Sequence, residues 1–246
     1  MIKLIKKVAP EFVVERYRRV RRSEFYRRLR LTRAARRLMR DAESRCDDAR
    51  RCCDELWKYD DFRPIQIREE IARLFDIVKA LRPATVCEIG TAGGGTTFLL
   101  ARAAAPDSLI VSLDLEFDEA RRLAASLFAR DGQRIVCLKR DSHLLATVFE
   151  VERLLEGRGL DFLLIDGDHD YEGVAADFEL YAPLVRPGGL IAFHDIVPLR
   201  EGDERHTVGG VPRFWRELKE RHASAHEIVN NPAQSAFGIG IIRKGD

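Results

Sequence analysis

The sequence predicts an α/β protein, a mostly parallel sheet wound with helices and preceded by a basic helical arm. Three observations carry this. Short apolar runs alternate with helical patterns between Thr85 and His194, a glycine-rich turn joins the first run to a helix, and ionisable residues recur where the runs end. Regular alternation of strand and helix marks a parallel sheet covered on both faces. In an open sheet of that kind, ligands sit outside the carboxyl ends of the strands.

The elements follow in order. Residues 1–60 read as a helical arm, with Val13, Tyr17, Val20, Leu31, Ala35 and Leu38 on one face at helical spacing. Arg18, Arg19, Arg21, Arg22, Arg27 and Arg28 fill much of the rest. From residue 61 a single domain extends to 246. It opens with a helix over about 66–81, apolar at Ile67, Ile71, Leu74, Phe75, Val78 and Leu81, and stopped by Arg82-Pro83. Five strands follow over about 85–89, 109–114, 134–138, 160–169 and 188–195. A helix over about 211–222 then leads to two more strands, about 227–230 and 236–242.

The first strand ends Glu88-Ile89-Gly90-Thr91-Ala92-Gly93-Gly94-Gly95 and runs into a helix. Strand, glycine turn and helix together bring backbone N–H groups and a helix N-terminus against a nucleotide-like ligand. Glycine is needed where a Cβ would hold the ligand away. A pyrophosphate gains nothing from the carboxylate of Glu88, whereas a cationic ligand does, and S-adenosylmethionine carries both a sulfonium and an ammonium. Asp114 ends the next strand, where an acidic group meets a ribose diol. Asp141 and Ser142 follow the third strand and suit the adenine side. The expected cofactor-binding set is therefore Glu88, Gly90, Ala92, Gly94, Asp114, Asp141 and Ser142. His143 reads as a surface residue.

The fourth and fifth strands end in Ile165-Asp166-Gly167-Asp168-His169-Asp170-Tyr171-Glu172-Gly173 and, after Pro187-Gly188-Gly189, in Phe193-His194-Asp195. On these residues, and over about 62–244, the chain resembles the class I S-adenosylmethionine-dependent methyltransferases. Within that class it is similar to bacterial O-methyltransferases acting on sugars and antibiotics, the macrocin and cephalosporin-type group. Catechol O-methyltransferase is a more distant relative. The resemblance implies a Rossmann-like, seven-stranded sheet closed by a terminal antiparallel pair. It also implies methyl transfer to a hydroxyl of a sugar, glycoside or phenol.

Such a transfer needs the hydroxyl to lose its proton, by a base or by a metal that lowers its pKa. Asp166, His169, His194 and Asp195 are the expected catalytic residues. The resemblance supports a divalent cation on Asp166, His194 and Asp195. Carboxylates suit Mg²⁺, whereas the imidazole of His194 suits Mn²⁺, Fe²⁺ or Zn²⁺. In the metal-free alternative, His169 or His194 is the base. Two other functions stay open. Gly90-x-Ala92-x-x-Gly95 with Asp114 is a degenerate dinucleotide fingerprint, as in an NAD-dependent oxidoreductase. A non-catalytic module working through its arm is the other.

Composition narrows the setting. The sequence has 246 residues, is 46% hydrophobic, and shows no run long enough to span a membrane and no signal-peptide core, so a cytoplasmic protein is expected. Its five cysteines include no C-x-x-C pair and read as reduced structural thiols. The net charge of +2 hides an asymmetry: residues 1–40 carry +12 and the remainder −10. Three uses of the arm compete. It can pack on its own domain or on a second subunit, giving a homo-oligomer; it can attach to an anionic membrane surface; or it can bind phosphate backbones. No nucleic-acid-binding motif accompanies it, which ranks the last use lowest.

Overall fold

A computed structural model of the chain describes residues 23–46, 48–130, 132–200, 202–203 and 208–245. At its centre lies β1 (Thr85–Ile89), buried at every residue because the sheet is covered on both faces. Around it run β2 (Leu109–Asp114), β3 (Arg134–Lys139), β4 (Leu160–Ile165), β5 (Val185–His194), β6 (His226–Ile228) and β7 (Ile239–Arg243). The spatial order is β3-β2-β1-β4-β5-β7-β6. Strands β1 to β5 pair in parallel, and β7 runs antiparallel to both β5 and β6. The chain reaches the β3 edge and then returns to place β4 beside β1. That reversal opens a crevice at the carboxyl ends of β1 and β4, the place where doubly wound sheets take ligands.

Eight helices flank the sheet among the described residues. One face carries α1 (Glu24–Arg45), α2 (Ala49–Leu56), α3 (Arg68–Leu81), α4 (Gly95–Ala103) and α5 (Glu119–Ser126). The other carries α6 (Leu145–Leu155), α7 (Tyr171–Tyr181) and α8 (Val211–Lys219). Asp48 and Asp118 cap α2 and α5, each accepting at 2.8 Å from the backbone N–H three residues on.

The described part of the arm belongs to the same core as the sheet. Leu31, Ala35, Leu38 and Ala42 of α1 are buried in one cluster with Phe98 and Phe128. Arg27 pairs with Asp118, Arg30 with Asp61 at 2.6 Å, and the Tyr59 hydroxyl donates to Asp41 at 2.5 Å. Burying Leu31 and Leu38 is worth ~1.5–3 kcal/mol apiece, against ~0–1 for each half-exposed ion pair. Apolar packing, not charge, therefore docks this helix. Val13, Tyr17, Val20 and the arginines before Ser23 lie outside the described residues. Among those described, no helix is long and apolar enough to cross a membrane.

Several boundaries move from their expected places. Helix α3 starts at Arg68, which leaves Gln66 outside it. Strand β5 starts at Val185, and a register shift opposite Leu160–Phe162 absorbs the extra residues. Helix α8 stops at Lys219, and β6 covers only His226–Ile228. Strand β7 starts at Ile239 rather than 236, because Ala236, Phe237 and Gly238 take φ values of +64°, +61° and +81° and cannot lie in a ladder.

Candidate active site

A cavity of about 980 Å³ opens at the carboxyl ends of β1, β2, β4 and β5. The glycine turn forms one wall. Gly90 has φ +90°, and a Cβ there would overlap the Asp166 carbonyl. A Cβ on Gly95 would overlap the Phe62 carbonyl, so this glycine lets the segment after α2 cross the start of α4. Asp114 lines the same end and folds onto the turn. Its Oδ2 accepts from Thr91 N (3.0 Å) and Ala92 N (2.7 Å), and its Oδ1 accepts from Glu116 N (2.7 Å). Asp141 and Ser142 line the cavity as expected, and so does His143, which the sequence suggested was merely surface.

Glu88 is corrected by its surroundings. It does not line the cavity but lies beneath the turn, fully buried. Its Oε2 accepts from Thr97 Oγ1 at 2.5 Å and Ser112 Oγ at 2.7 Å, and its Oε1 has no partner. Burial pushes its carboxyl up to about 8. Lying beneath the turn and bonded to Thr97 and Ser112, this carboxyl braces β1, β2 and α4 from outside the cavity. Gly94, at φ +86° ahead of α4, likewise shapes the turn without facing the cavity.

The opposite end holds the ionisable cluster. Asp166, His169 and Asp195 can each aim one ligand atom so that all lie within 4.8 Å of one another. His169 Nε2 stands 3.5 Å from Asp195 Oδ2 and 3.8 Å from Asp166 Oδ1. His194, expected in this set, also borders the cavity but is not one of these three converging groups. It is only 3% exposed, and its Nδ1 is 3.0 Å from Asp166 Oδ1 and 3.5 Å from Asp195 Oδ1. Burial opposes charging that ring, but the Asp166 carboxylate outweighs it and, with Asp195, pushes the imidazole up to about 10. The reciprocal effect holds Asp166 well below the usual carboxylate range despite its burial. Asp166 thus favours the charged form of His194 and is held by it, and His169 stands among the converging ligand atoms.

Side chains that sequence reasoning missed support this end. Gln66 Nε2 donates to Asp166 Oδ2 at 2.8 Å. One helical turn further, the buried Glu70 accepts from Asn230 N, Gln234 Nε2 and Gly238 N at 2.8–2.9 Å. Those bonds hold the left-handed run Ala236-Phe237-Gly238, and Phe237 packs on the His194 ring at 6.0 Å between centroids. Asp195 is itself left-handed at φ +63°, and the next two residues bond back to the same run, Ile196 N to Gly238 O and Val197 N to Phe237 O. Asp177, on α7, is also fully buried, 3.4 Å from His143 Nε2, and burial pushes it up to about 6. The readable signal was a charge on an apolar face: Glu70 lies between Ile67 and Ile71, and Asp177 between Val174 and Phe178.

The sheet itself separates two candidate families. The dinucleotide-binding fold has the parallel order 3-2-1-4-5-6, whereas here an antiparallel β7 is inserted between β5 and β6. Residues 87–196 match a family model described as a methyltransferase domain. Over those residues the chain is similar to methyltransferase domains. Among curated relatives it is 30% identical over 173 residues to an uncharacterized protein of Sinorhizobium fredii, covering 66% of this chain and 18% of that one. It is 35% identical over 114 residues to an uncharacterized protein of Acanthamoeba polyphaga mimivirus, covering 45% and 51%. The chain thus spans about half or less of the length of those two relatives. A catechol O-methyltransferase of Mycobacterium tuberculosis is 26% identical over 172 residues, covering 67% and 74%. Two solved structures share the fold. An O-methyltransferase from Bacillus cereus in complex with SAH has a TM-score of 0.55 at 23% identity, over 78% of this chain and 90% of that one. The O-methyltransferase TomG from Streptomyces achromogenes, in complex with SAM, has a TM-score of 0.53 at 19% identity, over 81% and 91%.

Proposed function

We propose that the chain transfers the methyl group of S-adenosylmethionine to a hydroxyl of a small acceptor, a sugar, glycoside or phenol, at a site able to hold a divalent cation. One observation carries the reading. A single cavity has a glycine turn and Asp114 at one end and the converging Asp166, His169 and Asp195 at the other. Bound S-adenosylmethionine supplies a methyl group on a sulfonium, which leaves by in-line displacement. Gly90 and Ala92 allow close backbone approach, Asp114 accepts from the ribose hydroxyls, and Asp141 and Ser142 border the adenine. Glu88 and Gly94 hold the turn from beneath.

The acceptor oxygen forms the new bond to carbon as the carbon–sulfur bond breaks, and the hydroxyl proton must go elsewhere. Two carboxylates and one imidazole form a mixed oxygen and nitrogen set that fits Mn²⁺ or Mg²⁺. A cation there would lower the hydroxyl pKa. His194 is disfavoured as the base, because the neighbouring Asp166 favours its charged ring. It instead orients Asp166, together with Gln66. A metal-free reading, with His169 as base, draws on the contact between its Nε2 and Asp195.

Calorimetry with S-adenosylmethionine, S-adenosylhomocysteine and NAD⁺, with and without Mn²⁺, tests the proposal. Binding of the first two, and labelled methyl transfer to a hydroxyl panel that stops after chelation, is expected. Transfer that survives exhaustive chelation gives the proton to His169. Binding of NAD⁺ alone would overturn the reading.

A further inference from the structure

We propose that the outward face of α1 docks on an anionic phospholipid surface. The helix divides its residues sharply. Leu31, Ala35, Leu38 and Ala42, spaced four, three and four apart, form the buried stripe. Phe25, Leu29, Arg33, Arg36 and Arg40, spaced four, four, three and four apart, form the opposite stripe and are exposed. The arginines on the flanks are already used: Arg27 pairs with Asp118, Arg30 with Asp61 and Arg45 with Glu55. Among the described residues, Arg33, Arg36 and Arg40 form no ion pair, although the chain beyond residue 40 carries −10. Packing the arm on its own domain therefore does not consume this charge. The stripe points it away.

Charge complementarity names a polyanion, and the apolar end of the stripe selects which one. Phe25 is 75% exposed, and Leu29 follows it one turn on. A large exposed aromatic beside a guanidinium row suits the boundary between headgroups and acyl chains, where the ring inserts and the cations meet phosphates. A nucleic-acid backbone would use the arginines and leave that end idle. The preceding residues 1–22 add eight basic and two acidic side chains to the same terminus. Arg30 also holds Asp61, which lines the cofactor cavity, so a docked α1 keeps that cavity close to the headgroups.

The full chain should sediment with vesicles of phosphatidylcholine and phosphatidylglycerol, not with phosphatidylcholine alone, and salt should release it. A variant carrying Arg33→Gln, Arg36→Gln and Arg40→Gln keeps residues 1–22, and should bind about a hundredfold more weakly, from roughly fivefold per arginine. Phe25→Ser should weaken binding less, and the loss should persist at high salt. All variants should bind S-adenosylhomocysteine as the parent does, which shows that they are folded. Equal binding of both vesicle types, or an unchanged triple variant, overturns the proposal. So does tighter binding of an RNA duplex than of vesicles that the triple variant loses, which would reassign the stripe to nucleic acid. A concentration-dependent mass lost in the triple variant would reassign it to a second copy.

Discussion

The two ends of the cavity are built differently. At the glycine-turn end, where we propose the cofactor binds, the shape comes from backbone. Gly90, Ala92 and Gly94 turn the chain, and Asp114 accepts N–H groups from Thr91, Ala92 and Glu116. At the acceptor end the shape comes from side chains far apart in sequence, Gln66, Glu70, Asp166, His169, His194, Asp195 and Phe237. It is held by left-handed residues at 195, 236 and 237. One end follows largely from the glycine motif and the next strand's end at Asp114. The other concentrates charge and backbone strain, as sites of chemistry tend to do.

The sharpest way to separate the ends is Asp166→Ala. It leaves the buried His194 charge without its main partner, a loss of roughly 3–5 kcal/mol for a broken buried pair. Methyl transfer should vanish and the melting temperature should fall. Affinity for S-adenosylhomocysteine should stay within a few-fold, because the turn and Asp114 are untouched. Loss of both activities in a folded variant would show that the two ends are not independent.

Glu70→Gln asks whether the strained run is needed for chemistry. The amide puts an NH₂ where the carboxylate accepts from backbone and side-chain N–H groups, so one or two charge-assisted bonds are lost, roughly 1.5–3 kcal/mol each. Through Phe237 and His194, kcat should drop severalfold while KM for S-adenosylmethionine holds. Equal changes in both would make Glu70 a structural clasp only. On the other side, Asp114→Asn keeps one acceptor oxygen for the turn but removes the charge. It should weaken cofactor binding by about tenfold, roughly 1.4 kcal/mol, and leave chelation sensitivity unaltered.

These differences also explain what was readable in advance. The alternation of apolar runs and helices gave the strand ends, and with them Asp114, Asp166 and Asp195, because strand order and ligand position follow from local pattern. The role of Glu88 was misread. Sequence puts it two residues before the first glycine but does not say which way a strand side chain points, and in β1 it points under the turn. His169 rather than His194 joins Asp166 and Asp195 in the converging group, because sequence does not say which of two strand-end imidazoles is turned toward the carboxylates. Gln66 and Glu70 stayed hidden because their partners lie about a hundred residues or more away in sequence.

Glu88 tests the glycine-turn end directly, through stability rather than through transfer. Its carboxyl sits near 8 in the folded chain, raised by burial from an ordinary 4.5. Between those values the folded state holds a proton that the unfolded chain has released. Stability must therefore fall as pH rises through that window, by at most ~1.4 kcal/mol per unit, and level off above it. Glu88→Gln keeps an oxygen for Thr97 and Ser112 and puts an uncharged NH₂ at the partnerless Oε1 position. Melting temperatures of the parent and the variant should nearly coincide near pH 5 and diverge toward pH 8, with the variant the more stable. Other titrating groups are common to both chains and cancel in the difference. A gap that does not change with pH would mean that Glu88 is ionised in the fold. Its oxygen would then face more polar surroundings than Thr97 and Ser112 provide, and a direct role with a cationic ligand would be restored.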